Sequence, residues 1–529
     1  MANSFAGIEI GKRSLMAHST QIQTAGHNIS NADTEGYSRQ RVIVKSFEPI
    51  YRPDLERAMV PGQIGQGCDV ESINRIKDEL LESRIVEQKN VEAYWETRDK
   101  YYSMIESVYN EPNDVSVRTN MDKFWQGWQE LSTYPESDAA RLAVVVRGQT
   151  LTNSIQQQYK SLRGIGDQIN GDIEAVVKQV NDLSRQIASV NGEIVRSKGL
   201  GDNPNDLMDR RDLLVEKLSS IINVTVTQKD PDEFMVHTDG QIIVQGSLAR
   251  QIETVGQLDN NGYGKLMWSD TKLDAEFHGG TLGALVELRD KDIRTEIQSL
   301  NTMALNFADL VNDVHRNAIG KNNTTGLDFF VQHDFVENVN GNYDRNGDGV
   351  EDTSYIFRMT GTNALKMQEQ IGLSGTMTIN GASGNIDVAY FSTDTVEDVI
   401  NRINDSNGEV KAYLDRNSCL VLKATSSKGM ENPDFVIRHV EDSGMFLTGY
   451  SGILQGSGAD NAYDFNRANA VDVLAGAQFA VSPVLNPSAY IEVNGLIQND
   501  VSSVAAAFKN SQGFAEPSDG RAAVEMAAI

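Results

Sequence analysis

Asp344, Asn346, Asp348 and Asp352 occupy positions 1, 3, 5 and 9 of a short loop, with Gly349 at position 6. Oxygen donors at that spacing can converge on a hard cation such as Ca²⁺, and the glycine allows the sharp turn between them. The Val350 carbonyl would add the ligand of position 7. Position 12 holds Tyr355 where a calcium loop has a bidentate glutamate, so the competing reading is a polar turn in an acidic chain. Calcium here is the one cofactor the sequence suggests. A second cluster, Asp209-Arg210-Arg211-Asp212, follows Asn203-Pro204-Asn205. It could be acid–base chemistry beside cations; ion pairs at a bend entering a helix explain it better. The enzyme signatures G-x-S-x-G, H-E-x-x-H and Walker A are missing, and the seven histidines are scattered. Gly62, Gly65 and Gly67 lack the Lys-Ser/Thr of a phosphate loop. No enzyme activity is expected.

The charge balance narrows the partners. With 47 Lys+Arg against 74 Asp+Glu, the 529-residue chain carries −27. Nucleic acid and anionic membranes both demand a basic face, so neither is expected. No apolar run is long enough to span a bilayer, and the N-terminus lacks the basic and apolar regions of a secretory signal. Cys68 and Cys419, far apart in sequence, read as two isolated thiols rather than a disulfide or a zinc site.

The elements that would hold these groups are mostly helical. Ile8, Leu15, Ile22 and Ile29 recur every seven residues along a helix over 4–31, which turns one face toward a partner helix. Asn28, Asn31, Gly36, Tyr37 and Arg39 then punctuate a polar turn. Residues 40–68 read as extended and 72–110 as helical. Ser137 or Asp138 caps a long helix on which Ile169, Ile173, Val176, Val180, Leu183, Ile187, Val190 and Ile194 follow 4-3 spacing. Ile293, Ile297, Leu300, Ala304, Phe307, Val311 and Val314 repeat that pattern. Residues 222–253 alternate as strands, with a hairpin turn at Asp239-Gly240. Over 375–426 the order is strand, turn, strand, helix, strand, turn, strand, the helix capped by Thr393 or Asp394. Tyr490–Asn494 reads as a strand, and Ser518-Asp519-Gly520 opens a last helix.

Several of these segments bear a family resemblance. Asn28-Ile29-Ser30-Asn31 with Thr34-Glu35-Gly36-Tyr37 resembles the N-terminal signature of bacterial flagellar axial proteins. Ser38-Arg39-Gln40 narrows this to the hook-associated protein 1 (FlgK) family. Asn205–Leu218, Val244–Ser247, and Asn312, His315 and Gly320 followed by Gly326-Leu327-Asp328-Phe329-Phe330 are similar to counterparts in that family. Residues 375–426 resemble the flagellin IN motif.

The resemblance implies an exported structural subunit at the hook–filament junction, in an external or periplasmic flagellum. Its expected partners are the flagellar hook protein, a second hook-associated junction protein, copies of itself in a ring, and an export chaperone acting through a C-terminal helix. The assembly residues would be Ile8, Leu15, Ile22, Ile29, Asn28, Asn31, Gly36, Tyr37 and Arg39. Two alternatives are a flagellar hook or rod protein and, from another class, a secreted calcium-dependent adhesin or binding module.

The expected fold is α+β, multidomain and elongated, with coiled-coil-like helices forming a rod. Residues 1–35 form the axial helix and 36–330 a helical rod domain with a β element at 222–278. Residues 331–485 form an inserted β-rich domain, and 486–529 return to the rod. Family members end in a second heptad helix that pairs with the first. The sequence stops at Ile529 as that region should begin, so the Ile8–Ile29 stripe is expected to stay unburied by its own chain.

Overall fold

The computed structural model describes residues 4–47, 65–109, 116–228, 234–256, 262–331, 341, 344, 348–381, 384–415, 417–427, 435–476, 478–481 and 486–529. In chain order come α1 (Ser4–Ser30), β1 (Gln40–Ser46), β2 (Cys68–Arg75), α2 (Glu79–Tyr109), α3 (Val117–Thr133), α4 (Asp138–Gly199) and α5 (Asn205–Ser219). Short strands follow: β3 (Thr225–Gln228), β4 (Phe234–Thr238), β5 (Gln241–Gln245), β6 (Leu248–Ala249), β7 (Ile252–Gly256) and β8 (Gly264–Trp268). Next are α6 (Gly280–Glu287), a π-helical stretch over Leu288–Ile293, α7 (Arg294–Asn317) and β9 (Ile319–Gly320). The β-rich part holds β10 (Arg358–Ala364), β11 (Gly375–Gly381), β12 (Gly384–Tyr390), α8 (Val396–Asp405), β13 (Val410–Leu414), β14 (Cys419–Ala424), β15 (His439–Asp442), β16 (Tyr463–Asp464) and β17 (Gln478–Ala480). The chain closes with α9 (Pro487–Tyr490), α10 (Gly495–Asn499), β18 (Ala505–Ala507) and α11 (Arg521–Ala527). Among the described residues no helix is long and apolar enough to cross a membrane.

This α+β chain divides into two compact units, residues 1–103 with 166–291, and residues 104–165 with 292–529. The division differs from the expected 36–330 domain. Periodicity reports that a helix has a buried face, but not where along its length its packing partners change.

In the first unit, α1 lies on the antiparallel pair β1–β2, which runs from Gln40 opposite Arg75 to Ser46 opposite Cys68. Ala17 and Thr24 face inward, and the Arg13 guanidinium sits 3.6 Å from the centre of the Phe47 ring. Residues 72–75, expected to be helical, complete β2: Ile73 pairs with Val42. The helix waits until Asp78 accepts the amides of Leu80 (3.0 Å) and Leu81 (3.3 Å) as its cap. Asp239 and Gly240, at φ 45° and 81°, make the turn between β4 and β5, the primed geometry that matches strand twist. Along α4 the buried stripe runs through Ile169, Ile173, Val177, Val180 and Ile187; Val177, rather than the expected Val176, faces inward. Polar neighbours fix the helix to the β elements. Asn181 exchanges two 2.8 Å bonds with the backbone of Ile252, and Asn191 donates to the Gly246 carbonyl at 3.0 Å.

The second unit is built on aromatics. Phe124, Trp128, Phe329 and Phe330 are fully buried, with Phe329 and Phe330 edge to face at 4.9 Å. α7 grips the Leu327–Phe330 segment through side chains one turn apart. Asn312 both donates to and accepts from the Phe330 backbone at 2.9 Å. The His315 Nδ1–H donates to the Leu327 carbonyl at 2.7 Å, and Arg316 binds Asp328. His315 Nε2 then accepts the Ala505 amide at 2.9 Å. Burial, with Arg141 and Arg316 nearby, pushes this imidazole down to about 4, against a contribution from the Leu327 carbonyl; it is neutral. β18 pairs with β9, and Ala318, Ala505 and Ala522 pack together.

The β-rich part contains two four-stranded sheets, β13-β14-β10-β17 and β12-β11-β15-β16, around a core running from Tyr355 to Ala480 that takes in Leu305 of α7. The element order over 375–426 is the expected one. The cap of α8 is Thr395, not Thr393 or Asp394, in a reciprocal box with Asp398. Entry and exit are adjacent: Val331 donates to the Glu492 carbonyl and Asn494 to that of Phe329, both at 2.8 Å. The expected strand at 490–494 reduces to this bridge, because Pro487 starts a helical turn just before it. Buried ions bind this part to α7. Arg358 reaches Asp309 at 2.9 Å and Asp313 at 2.5 Å, while Lys423 reaches Asp309 at 3.4 Å.

Candidate assembly site at the base of the first helix

The apolar stripe of α1 faces away from its own unit. Ile8, Leu15, Ile22 and Ile29 are 68, 73, 73 and 77 % exposed, as expected. Helix geometry explains why. Ala17 and Thr24 lie two residues on from Leu15 and Ile22, about 200° around the axis, so the face that packs on β1–β2 and the stripe are nearly opposed. An isolated apolar stripe contributes nothing to its own fold, and burying one leucine or isoleucine is worth ~1.5–3 kcal/mol.

The turn after α1 is clamped. The Asn28 Oδ1 accepts the Tyr37 hydroxyl at 2.8 Å and the Gln40 amide at 2.9 Å, while its Nδ2 donates to the Gln40 carbonyl at 2.9 Å. One side chain thus closes the segment from 28 to 40. Gly36 stands at φ +77°, and a Cβ there would lie 2.9 Å from the Cβ of Leu213. Both the left-handed backbone and the close approach to α5 exclude larger residues. Asn31 works locally, donating to the His27 carbonyl at 3.0 Å and accepting from Thr34 at 3.2 Å. The Arg39 side chain is exposed, and its carbonyl accepts the Ile76 amide at 2.8 Å.

The Asp209–Asp212 cluster forms the other jaw. Asp209 accepts the Ser38 amide at 3.0 Å and Arg75 at 2.8 Å. Asp212 takes Arg75 at 2.8 Å and Lys77 at 2.7 Å, and Asp206 takes the Gln40 side chain at 2.8 Å. Asn205 and Asn203 donate to the Ile73 carbonyl at 2.7 and 2.8 Å. These are ion pairs at a bend, as expected. Their cations, though, are Arg75 and Lys77 from the β-pair side of the unit. The neighbouring Arg211 instead lies 3.7 Å from the centre of the Phe234 ring, besides a 3.5 Å contact with Asp212. Burial pushes the Asp212 carboxyl up, but Lys77 and Arg75 outweigh it and hold it below its ordinary value. Burial would likewise lower Arg75, and Asp209 and Asp212 more than compensate. Lys198 is pushed down by burial and by the adjacent Arg211 and Arg75. The result is a charge-balanced knot in which α1, its turn, β2 and α5 meet. Sequence reading found both motifs and missed their union, as well as Arg75 and Lys77, which no local spacing marks.

The calcium-like loop lies in the other unit. Asn346 falls outside the described residues. The Asp344 carboxylate accepts the amides of Asp348 (3.2 Å) and Gly349 (2.7 Å), and Asp348 accepts that of Val350 at 2.8 Å. Asp352 takes the Thr353 hydroxyl at 3.0 Å. These bonds make a polar turn, and among the described residues no group of three or more acidic, histidine or cysteine side chains gathers as a metal site. Neither cysteine is in a disulfide.

Comparison with known proteins bears on the whole chain. Residues 102–330 match the flagellar hook-associated protein FlgK helical domain, and residues 376–426 the flagellin hook IN motif. The flagellar hook-associated protein 1 of Bacillus subtilis (strain 168) is 29 % identical over 73 % of this chain and 83 % of its own length. Its namesake in Escherichia coli (strain K12) is 29 % identical over 60 % of this chain, and the match spans only 58 % of that relative. The flagellar hook junction protein FlgK from Burkholderia pseudomallei has a solved structure with TM-score 0.48 and 18 % identity, over 80 % of this chain and 66 % of that one. The helical-domain match takes in the α7 grip on Leu327–Phe330. Through its helical domain and its flagellin IN motif, the chain is similar to flagellar hook-associated proteins of the FlgK family.

Proposed function

We propose that this chain is a structural subunit of the bacterial flagellum that joins hook to filament, with no catalytic step. The observation carrying this is the exposed Ile8–Ile29 stripe on a helix whose base is locked by Asn28, Gly36 and Asp209. A free apolar seam needs another helix to cover it. A rigid base lets load on that seam reach the body of the protein rather than dissipate in a flexible tether. The partners proposed are the hook protein on one side, a second hook-associated junction protein on the other, and neighbouring copies around the ring. Calcium at Asp344–Asp352 rests on spacing alone and plays no part in this reading.

An in-frame deletion tests it. The expected outcome is hooks without filaments, filament subunits shed into the medium, and loss of swimming. Full-length chain restores all three, whereas Ile22→Asp does not. Normal filaments on the deletion strain would overturn the reading.

A further inference from the structure

Gly164, Gly166 and Gly171 crowd into the middle of α4, a helix of 62 residues. Apart from proline, glycine is the poorest helix former, because it gives up the most backbone freedom and has no side chain to pack. A helix has use for glycine where another group comes too close for a Cβ. Gly148 is such a case, since a Cβ there would lie 3.0 Å from the Phe329 ring. Gly164 and Gly171 are not. Both are exposed, and a Cβ at either would meet nothing within 4 Å. Neither close packing nor a turn accounts for them, so what they supply is a backbone that yields. Sharp kinks in helices gather at glycines and at π-helical turns.

A π-helical turn lies alongside. The Leu288–Ile293 stretch carries Arg289, whose Nη1 donates at 2.9 Å to the Oδ1 of Asn170, the residue before Gly171. The same oxygen accepts the Gly264 amide at 3.2 Å. To either side, the Tyr263 hydroxyl donates to Asp167 at 2.8 Å and that of Tyr101 to Asp172. The glycine-rich part of α4 and the π turn are thus tied at one level. Bending one helix of a packed pair requires its neighbour to change length. A π turn holds more residues than an α turn, so it can take up that change by reverting toward α-helical bonding. We propose that Gly164–Gly171 and the π turn at Leu288–Ile293 form a compliant joint, at which α4 flexes while the helix to either side stays stiff. The inference goes beyond the junction reading and stands without it. Where load runs along the helices, the joint gives bending a fixed place.

Spin labels at Gln157→Cys and Gln186→Cys, both exposed positions on α4, test this in the full-length chain carrying Cys68→Ser and Cys419→Ser. A straight helix sets the two positions ~43 Å apart. Pulsed electron paramagnetic resonance should give a broad distance distribution with its weight below that value. Gly164→Ala together with Gly171→Ala, both of which place the new methyl in open space, should narrow it to a single peak at the straight-helix distance. Hydrogen exchange gives a second reading. Each alanine favours the helix roughly fivefold, so exchange over 160–175 should slow about twenty-fivefold in the double variant, while exchange over 180–195 stays unchanged. A narrow distribution in the parent chain, or one that stays broad with both alanines, overturns the joint. Unchanged exchange over 160–175 overturns it as well. Each of these results leaves the junction reading standing, because that reading is tested by the deletion strain.

Discussion

Asp209→Ala is the sharpest probe of the knot at the base of α1. The side chain is 7 % exposed and accepts both the Ser38 amide and Arg75. Hydrogen bonds to a charged group contribute ~1.5–3 kcal/mol each, and breaking a buried pair by removing one partner costs about 3–5 kcal/mol. Arg75 retains Asp212 at 2.8 Å, which places the expected loss at the lower end, ~3 kcal/mol, or about a hundredfold in an opening equilibrium. Hydrogen exchange read by mass spectrometry resolves where the loss falls. Peptides over 36–41 and 205–219 should exchange about a hundredfold faster, while peptides over 305–320 stay unchanged. The control is Asp206→Ala, whose carboxylate is 68 % exposed and should cost under ~1 kcal/mol. If Asp209→Ala behaves like Asp206→Ala, or if protection falls equally in both units, the clamp is not what holds the turn.

Three further outcomes follow from the same geometry. His315, held near 4 in the fold against 6.5 when free, stays neutral while the unfolded chain takes up a proton. Its stabilisation is therefore whole above pH 6.5 and lost as pH falls through 4, a difference of ~3 kcal/mol; urea midpoints across that window should show it, and His315→Gln should flatten the slope. Arg358→Met leaves the buried Asp309 with Lys423 as its remaining cation, which should cost about 3 kcal/mol and lower the melting of the second unit without altering exchange in α1. Ile22→Asp, at a 73 % exposed position, should change the stability of the soluble chain by less than ~0.5 kcal/mol yet abolish its incorporation into isolated flagella.

Helical periodicity and turn chemistry were readable directly. The exposed stripe of α1, the Ser137 cap of α4, whose hydroxyl accepts the Ala140 amide at 3.2 Å, and the Asp239-Gly240 turn all depend on neighbours within a few residues. The errors mark where distant partners decide. Residues 72–75 carry a pattern compatible with a helix, but pairing with β1 makes them a strand. Val176 and Val177 differ by 100° on α4, and which one is buried depends on the surface opposite. Thr395 wins the cap of α8 because Asp398 can answer it, while Asp394 is engaged with Arg402 at 2.6 Å. For the candidate site, each jaw was legible as a motif, but contact between Ser38 and Asp209, which are 171 residues apart, has no local signal.

The pairing of β18 with β9 imposes an order on folding. His315 waits for an amide 190 residues further along the chain, and the Ala318 cluster waits for Ala522. A chain threaded N-terminus first can form α1, the knot beneath it and the first unit early, from residues already present. The second unit must hold its aromatic core unsealed until the closing segment arrives, because loop closure over such a span precedes the contacts that reward it. The first unit can thus close on residues already present, whereas the second needs segments up to Ala522 before the Ala318–Ala505–Ala522 contact forms.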